Sequence, residues 1–281
     1  MTLAGSSTTA PPSDAFRFGK NWQRYLAKSF DSDRARIAAG SLVELVGDLN
    51  GRSFLDIGSG SGMFSLAAHR AGAREVVSFD VDPESVAATR SLQRASGSPS
   101  NWRVLQRSVL DQALAREIAP ADVVYSWGVL HHTGDMWRAI ANAARLVSPG
   151  GLLAIAIYNR VTSGLLTSKR WWQIKRAYNH APRPAQIAME ISYGAYWALS
   201  CLRSGTNPAR IARDYRESRG MALATDLVDW LGGYPYEFAT PGEIAEFCEG
   251  QCGLVCEKVI AIGRDQTGNN QFVFKRPPPT S

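Results

Sequence analysis

The sequence predicts an α/β fold: a doubly wound, mainly parallel sheet of seven strands with a helical insertion after the fifth. Three observations carry this. Short, almost uninterrupted apolar runs alternate with helical segments between residues 53 and 158. Such runs are strands buried on both faces, which is how a parallel sheet covered by crossover helices reads. The rhythm stops at Asn159 and returns at Thr240.

The elements follow in order. Met1 to Asp14 is small, polar and Pro-containing, and reads as a disordered leader ahead of a single domain over 15–281. Phe16 to Lys28 sets Phe18, Trp22 and Tyr25 among basic residues. Ile37 to Leu49 has helical apolar spacing and stops at Asn50-Gly51. Ser53–Ile57, Glu75–Asp80, Trp102–Arg107, Asp122–Trp127 and Leu152–Tyr158 are the five strands. Gly62–Arg70, Pro83–Ala95, Asp111–Ile118 and Met136–Leu146 are the helices between them. Asp82 is a candidate N-cap with Pro83 at the first helical position. Asp135 is the candidate cap of the helix from Met136. Ser148-Pro149-Gly150-Gly151 reads as a turn. Residues 159–239 read as helices and loops, a cap over the ends of the strands. Thr240-Pro241-Gly242-Glu243 is a capping box. Two last strands, Leu254–Ile262 and Asn270–Lys275, are spaced to pair antiparallel at the sheet edge.

Composition sets the outer bounds. Of 281 residues, 45% are hydrophobic and 20% charged, which excludes disorder for the bulk of the chain. Four cysteines are too few for a disulfide scaffold, so a reducing compartment is expected. No run of about 18 uncharged apolar residues exists. The start lacks the basic and apolar stretches of a signal peptide. The expectation is a cytoplasmic protein. The net charge is +6, and residues 159–220 hold eleven Lys and Arg against three acids. The basic excess therefore belongs to the insertion.

The chemistry begins at Asp56-Ile57-Gly58-Ser59-Gly60-Ser61-Gly62. Glycines after a strand let the backbone turn sharply against a ligand, and the helix that follows offers unpaired N–H groups. An acid, Asp80, closes the next strand, where a carboxylate accepts both hydroxyls of an adenosine ribose. A nicotinamide dinucleotide and S-adenosylmethionine both fit. The third glycine comes one place too early for the G-x-G-x-x-G fingerprint. Asp56 makes sense beside an ammonium or sulfonium and little sense beside pyrophosphate, which favours S-adenosylmethionine.

FLDIGSGSGMFS, VVSFDVDPESV, DVVYSWGVLHHTGDM and LVSPGGLLAIAIYN, in that order, resemble the successive motifs of class I, Rossmann-like S-adenosylmethionine-dependent methyltransferases. The likeness is closest to the ubiquinone-biosynthesis type and spans Asn50 to Asn159. The stretch Asp229-Trp230-Leu231-Gly232-Gly233-Tyr234-Pro235-Tyr236-Glu237 is similar to a segment in some uncharacterised bacterial members.

The resemblance implies roles. Asp56, Gly58, Ser59 and Gly60 would hold the methionine end of the cofactor, with Gly62 shaping the loop. Asp80 would hold the ribose, with Val81, Ser108 and Val109 around the adenine. Ser108 stands where many relatives carry Asp. Ser126 and Trp127 end the fourth strand where the methyl group points, and Trp127 would wall the acceptor pocket. Trp22 would belong to a lid. The product would be S-adenosylhomocysteine, and nothing visible requires a metal.

Methyl transfer needs an acceptor atom held in line and relieved of its proton. His131 and His132 are the candidate bases, with His131 preferred; histidine titrates near neutrality. A purely structural role for either stays open. Tyr158, Trp230, Tyr234, Tyr236 and Glu237 join Trp127 and His131 as candidate acceptor contacts. An O-methylation of an anionic, sugar-like or aromatic small molecule is expected, with N- or C-methylation, an NAD(P)-dependent oxidoreductase and a non-catalytic cofactor-binding protein as alternatives. The basic insertion is a solvated cap, a cover for an anionic acceptor, or a peripheral membrane contact. Nucleic acid is disfavoured, because no proline-aromatic catalytic tetrapeptide follows the fourth strand. Cys248, Cys252 and Cys256 have neither iron–sulfur nor zinc spacing and read as small apolar residues.

Overall fold

The computed structural model describes residue 19, residues 32–211, residue 213 and residues 223–279. The expected leader and the Phe18, Trp22 and Tyr25 segment lie outside the described residues. The elements run α1 (Ser32–Val46), β1 (Ser53–Ile57), α2 (Met63–Arg70), β2 (Glu75–Asp80), α3 (Pro83–Ala95), β3 (Trp102–Gln106), α4 (Leu114–Glu117) and β4 (Ala121–Trp127). A 3-10 turn (Leu130–His132) leads into α5 (Met136–Arg145) and β5 (Val147–Tyr158). Then come α6 (Ser168–His180), α7 (Arg183–Arg203), α8 (Leu223–Gly232), α9 (Pro241–Gly250), β6 (Val255–Ile260) and β7 (Asn269–Lys275).

The seven strands form one sheet in the order β3-β2-β1-β4-β5-β7-β6. The first five are parallel, and β7 runs antiparallel to both β5 and β6. Period-two alternation sorts the side chains to two cores. Leu55 and Ile57 of β1 face a core with α5 and α9, through Ile140, Ala143 and Ile244. Phe54 faces the other core with α1, α2 and α3, through Leu42, Leu66 and Leu92. The sheet is thus doubly wound, as the apolar strands require.

Two local expectations are corrected. The turn Ser148–Gly151 lies inside β5 as an excursion: Ala121 pairs with Val147 but Val123 pairs with Leu152. Gly150 takes φ +77° there and donates its N–H to the Arg276 carbonyl, so β7's end keeps the excursion hydrogen-bonded. The helix expected over Asp111–Ile118 shrinks to one turn, Leu114–Glu117. Asp111 is spent in a turn, donating its N–H to Ser108 O and accepting from Ala113 N.

Strand order reverses between β1 and β4: the chain leaves β1 toward β2 and leaves β4 toward β5. That parts the loops after the two strands and opens a crevice at their carboxyl ends.

Candidate active site

The floor of the crevice is the loop after β1. Gly58, Gly60 and Gly62 take φ of +73°, +53° and +81°, a left-handed backbone that side chains disfavour. At Gly58 space matters as well, since a Cβ would meet Val129 Cγ1 at 2.4 Å. Gly58 N and Ser59 N both donate to Phe79 O, at 2.8 and 3.1 Å, which ties the loop to the end of β2. Thr89 of α3 donates to Gly60 O at 3.1 Å, so Ser59 is the donor in the 3.0 Å contact between the Ser59 and Thr89 hydroxyls.

Two carboxylates flank this loop. Asp80 accepts from Gly60 N at 3.0 Å through one oxygen and from Asp82 N at 2.9 Å through the other. Each oxygen keeps a second acceptor site. Asp56 is placed differently from Asp80. It is buried, and Ser65 donates to it at 2.5 Å. Because Ser65 spends its hydrogen on Asp56, Ser78 donates to Ser65 at 2.7 Å, and Trp102 Nε1 donates to Ser78 at 2.8 Å. This relay feeds the carboxylate from beneath. Burial raises Asp56 to about 7, with the neighbouring Asp80 pushing the same way and Ser65 opposing. Burial raises Asp80 to about 6, against the backbone N–H groups of Asp82 and Gly60. Among the described residues no positive side chain contributes to either, and the pair is a store of negative potential without a described cation beside it.

The remaining cofactor candidates line the same edge. Val81 is half-buried beyond Asp80, and Val109 is buried. Ser108 Oγ accepts from Leu110 N at 3.2 Å, closing its own turn. Ser126, fully buried, donates to Ile57 O at 3.1 Å and ties the end of β4 to the end of β1. Trp127 is half-buried and stacks on Tyr125, with ring centroids 6.0 Å apart. It also lies 6.4 Å from Phe64 of α2.

The wall of the crevice is assembled across the chain. The 3-10 turn after β4 docks on the segment after α8: Glu237 N donates to His131 O at 2.9 Å, and His132 Nδ1 contacts Pro235 O at 2.6 Å. A carbonyl only accepts, so His132 carries its hydrogen on Nδ1 and, while neutral, its lone pair on Nε2. Tyr158 lies 3.9 Å from the His131 ring, 5.2 Å from Trp230 and 5.1 Å from Tyr236. Tyr158 thus brings His131, Trp230 and Tyr236 into one cluster. Tyr234 sits apart, 6.3 Å from Trp172.

Two expectations about this wall are corrected. His131 was the preferred base, yet it has 0% exposure. Burial, then the charges of His132 and Lys175, hold its pKa well below the ordinary range, while the Ala156 carbonyl pulls weakly the other way. His132 is half-buried and is the better placed of the two to meet an acceptor. Burial also lowers it, to about 3, with the Pro235 carbonyl opposing and Lys175 assisting. Glu237, expected in the acceptor pocket, instead caps α5. Both its oxygens accept from Met136 N at 3.1 Å, whereas Asp135 makes no side-chain cap and pairs with Arg138 at 3.7 Å. A carboxylate at a helix N-terminus is favoured from wherever in the chain it arrives.

Lys175 was counted with the basic excess, but the fold buries it completely. Its ammonium sits 4.1 Å from the Trp230 ring, 4.9 Å from Tyr236, 5.8 Å from Tyr158 and 5.9 Å from Trp171, and it donates to Trp230 O. Burial drops it to about 7. The spacing Trp171, Lys175, Tyr178 places it on the inner stripe of α6, a signal available in the sequence. Thr89, Ser65 and Ser78 had no such signal. Cys248 is buried, while Cys252 and Cys256 are only partly so. Among the described residues no group of three or more His, Cys, Asp or Glu is placed to hold a metal.

The likeness to known proteins agrees with this architecture. Among solved structures, magnesium protoporphyrin IX methyltransferase from Synechocystis PCC 6803 superposes with a TM-score of 0.52 over 92% of this chain and 93% of its own, at 14% identity. An O-methyltransferase family protein from Burkholderia thailandensis gives 0.52 over 94% of this chain and 59% of its own, at 16% identity. At such identities the likeness shows the fold. A ubiquinone biosynthesis O-methyltransferase from Rhizobium rhizogenes is 33% identical over 112 residues, 40% of this chain and 43% of the relative. One from Bordetella avium is 36% identical over 118 residues, 42% of this chain and 47% of the relative. The chain thus matches less than half the length of these curated relatives. The family model described as a methyltransferase domain matches residues 23–188, more than half of the chain. On that match, this chain belongs to the methyltransferase domain family.

Proposed function

We propose that this chain moves the methyl group of S-adenosylmethionine to a hydroxyl oxygen of a small, anionic acceptor, releasing S-adenosylhomocysteine and a proton. The observation that carries the reading is the pair Asp56 and Asp80 around the glycine loop, a negative site whose carboxylates no positive side chain among the described residues offsets. A sulfonium or ammonium there offsets the burial that raises both acids. Asp80 would take the ribose hydroxyls, Gly58 and Gly60 the methionine end, and Val81, Ser108 and Val109 the adenine. The bound cofactor supplies a methyl group already activated by its sulfonium.

The chain's own residues then position the acceptor and handle its proton. Trp127 and Tyr158 present flat apolar faces at the ends of β4 and β5. His132 is held neutral, in the tautomer with its hydrogen on Nδ1 and its basic lone pair on Nε2. A negative charge on the acceptor would make that nitrogen a better base. Lys175 behind Tyr158 favours the same charge.

Titration calorimetry with S-adenosylhomocysteine should register one site per chain; no heat for it or for S-adenosylmethionine overturns the reading. Incubation of the chain and methyl-labelled cofactor with a small-molecule extract should label an oxygen; label on nitrogen or carbon refutes the hydroxyl. His132→Gln should cut turnover about a hundredfold with cofactor affinity unchanged.

A further inference from the structure

Helix α7 has two apolar faces, and among the described residues only one is covered by protein. Met189 and Tyr193 pack toward Trp171 and Tyr178, and Cys201 is buried on the same side. On the opposite side Ile187, Ile191, Ala195, Leu199 and Leu202 recur at helical spacing and are all exposed. The exposures are large where they count most: 67% for Ile191, 53% for Leu199 and 60% for Leu202. No charged residue interrupts this stripe. Scattered exposed aliphatics are ordinary, but a continuous stripe from Ile187 to Leu202, about 24 Å, is not. An aliphatic face with no charge marks a surface that is covered when the protein works.

Charge identifies what covers it. The only acid on α7 is Glu190, on the inner side, where it is bonded to Tyr178 and Arg183. Arg203 closes the helix, and the adjoining α6 adds exposed Lys169, Arg170 and Arg176. A second copy laid antiparallel on the stripe would bring no acid to Arg203, because Glu190, the one acid of α7, is already paired with Arg183. An anionic bilayer surface satisfies both the apolar face and the exposed basic residues of α6 and α7. No described helix is long and apolar enough to cross a membrane, so the contact lies in the headgroup plane.

We propose that the outer face of α7 is a docking surface for an anionic phospholipid bilayer. The inference does not depend on the transferred group, and its test reads neither turnover nor label. The full chain should sediment with vesicles of phosphatidylcholine mixed with phosphatidylglycerol, and weakly with phosphatidylcholine alone. Raising the salt should weaken the interaction. Ile191→Glu with Leu199→Glu should lower partitioning about tenfold or more, while the heat of S-adenosylhomocysteine binding certifies the fold. If that pair fails to fold, Ile191→Ser should still lower partitioning severalfold. No sedimentation of the natural chain with the anionic vesicles overturns the proposal, and so does equal partitioning of natural and folded substituted chains. A stable dimer that Ile191→Glu dissolves, with no vesicle binding, would show that a second copy covers the face.

Discussion

The floor and the wall of the crevice are built in opposite ways. The floor is five consecutive residues whose glycine dihedrals set its shape, with Asp56 and Asp80 at its sides and, among the described residues, nothing positive beside them. The wall is side chains drawn from β5, α6, α8 and the Tyr234–Phe238 segment around one buried ammonium, Lys175. The floor is polar and negative, the wall aromatic and positive. A backbone-built floor tolerates almost no change at its glycines and binds through fixed dipoles and charges. A side-chain wall tolerates repacking and sets what the acceptor must look like. The two signs also sort the ligands, a cation below and an anion beside it.

The sharpest way to break the contrast is Gly58→Ala. The added Cβ meets Val129 at 2.4 Å on a backbone of φ +73°. Overpacking of that kind costs about 3 kcal/mol, so cofactor affinity by calorimetry should fall about a hundredfold or more. Wild-type affinity would mean that the loop does not form the floor.

On the wall, Trp230→Ala should destabilise the chain by about 3 kcal/mol in urea unfolding, because it empties the centre of the aromatic cluster. Lys175→Met should leave stability unchanged or higher, since an apolar chain of similar volume avoids burying the charge. A large loss in Lys175→Met would show that the ammonium holds the cluster together.

Next in size is a pH effect on the floor. Cation binding competes with the protons held by Asp80, about 6, and Asp56, about 7. Affinity for S-adenosylmethionine should therefore rise with pH through that window and fall below it, by up to about tenfold per unit for each proton displaced. Unliganded stability should run the other way. The folded chain holds these protons more tightly than the unfolded one, so stability declines as pH rises from the ordinary carboxylate range toward 7. Asp80→Asn should flatten the lower part of both profiles. A pH-independent affinity would remove both carboxylates from the site.

The smallest effect separates two acids. Glu237→Ala should lower thermal stability by about 1 kcal/mol through the lost cap on α5, and Asp135→Ala by less than about 0.5 kcal/mol. The reverse order would restore Asp135 as the cap.

Much of the fold was legible before any coordinates, because its signals are local. Apolar runs, Pro83 after Asp82 and the Thr240 to Glu243 box each act within a few residues, and the structure shows Asp82 accepting from Glu84 N and the complete capping box. The glycine loop was legible for the same reason: left-handed backbone needs glycine wherever it occurs. What tertiary structure alone decided is which distant groups meet. Sequence cannot say that Glu237 reaches α5, that His132 finds Pro235, or that Asp56 faces the Ser65 relay rather than the open crevice. Lys175 lies between the two: its spacing with Trp171 and Tyr178 puts it on the inner stripe of α6, and only tertiary structure closes the rings of Trp230 and Tyr236 around it. Burial and pairing depend on all elements at once, and it is burial that sets charge, pKa and accessibility at this site.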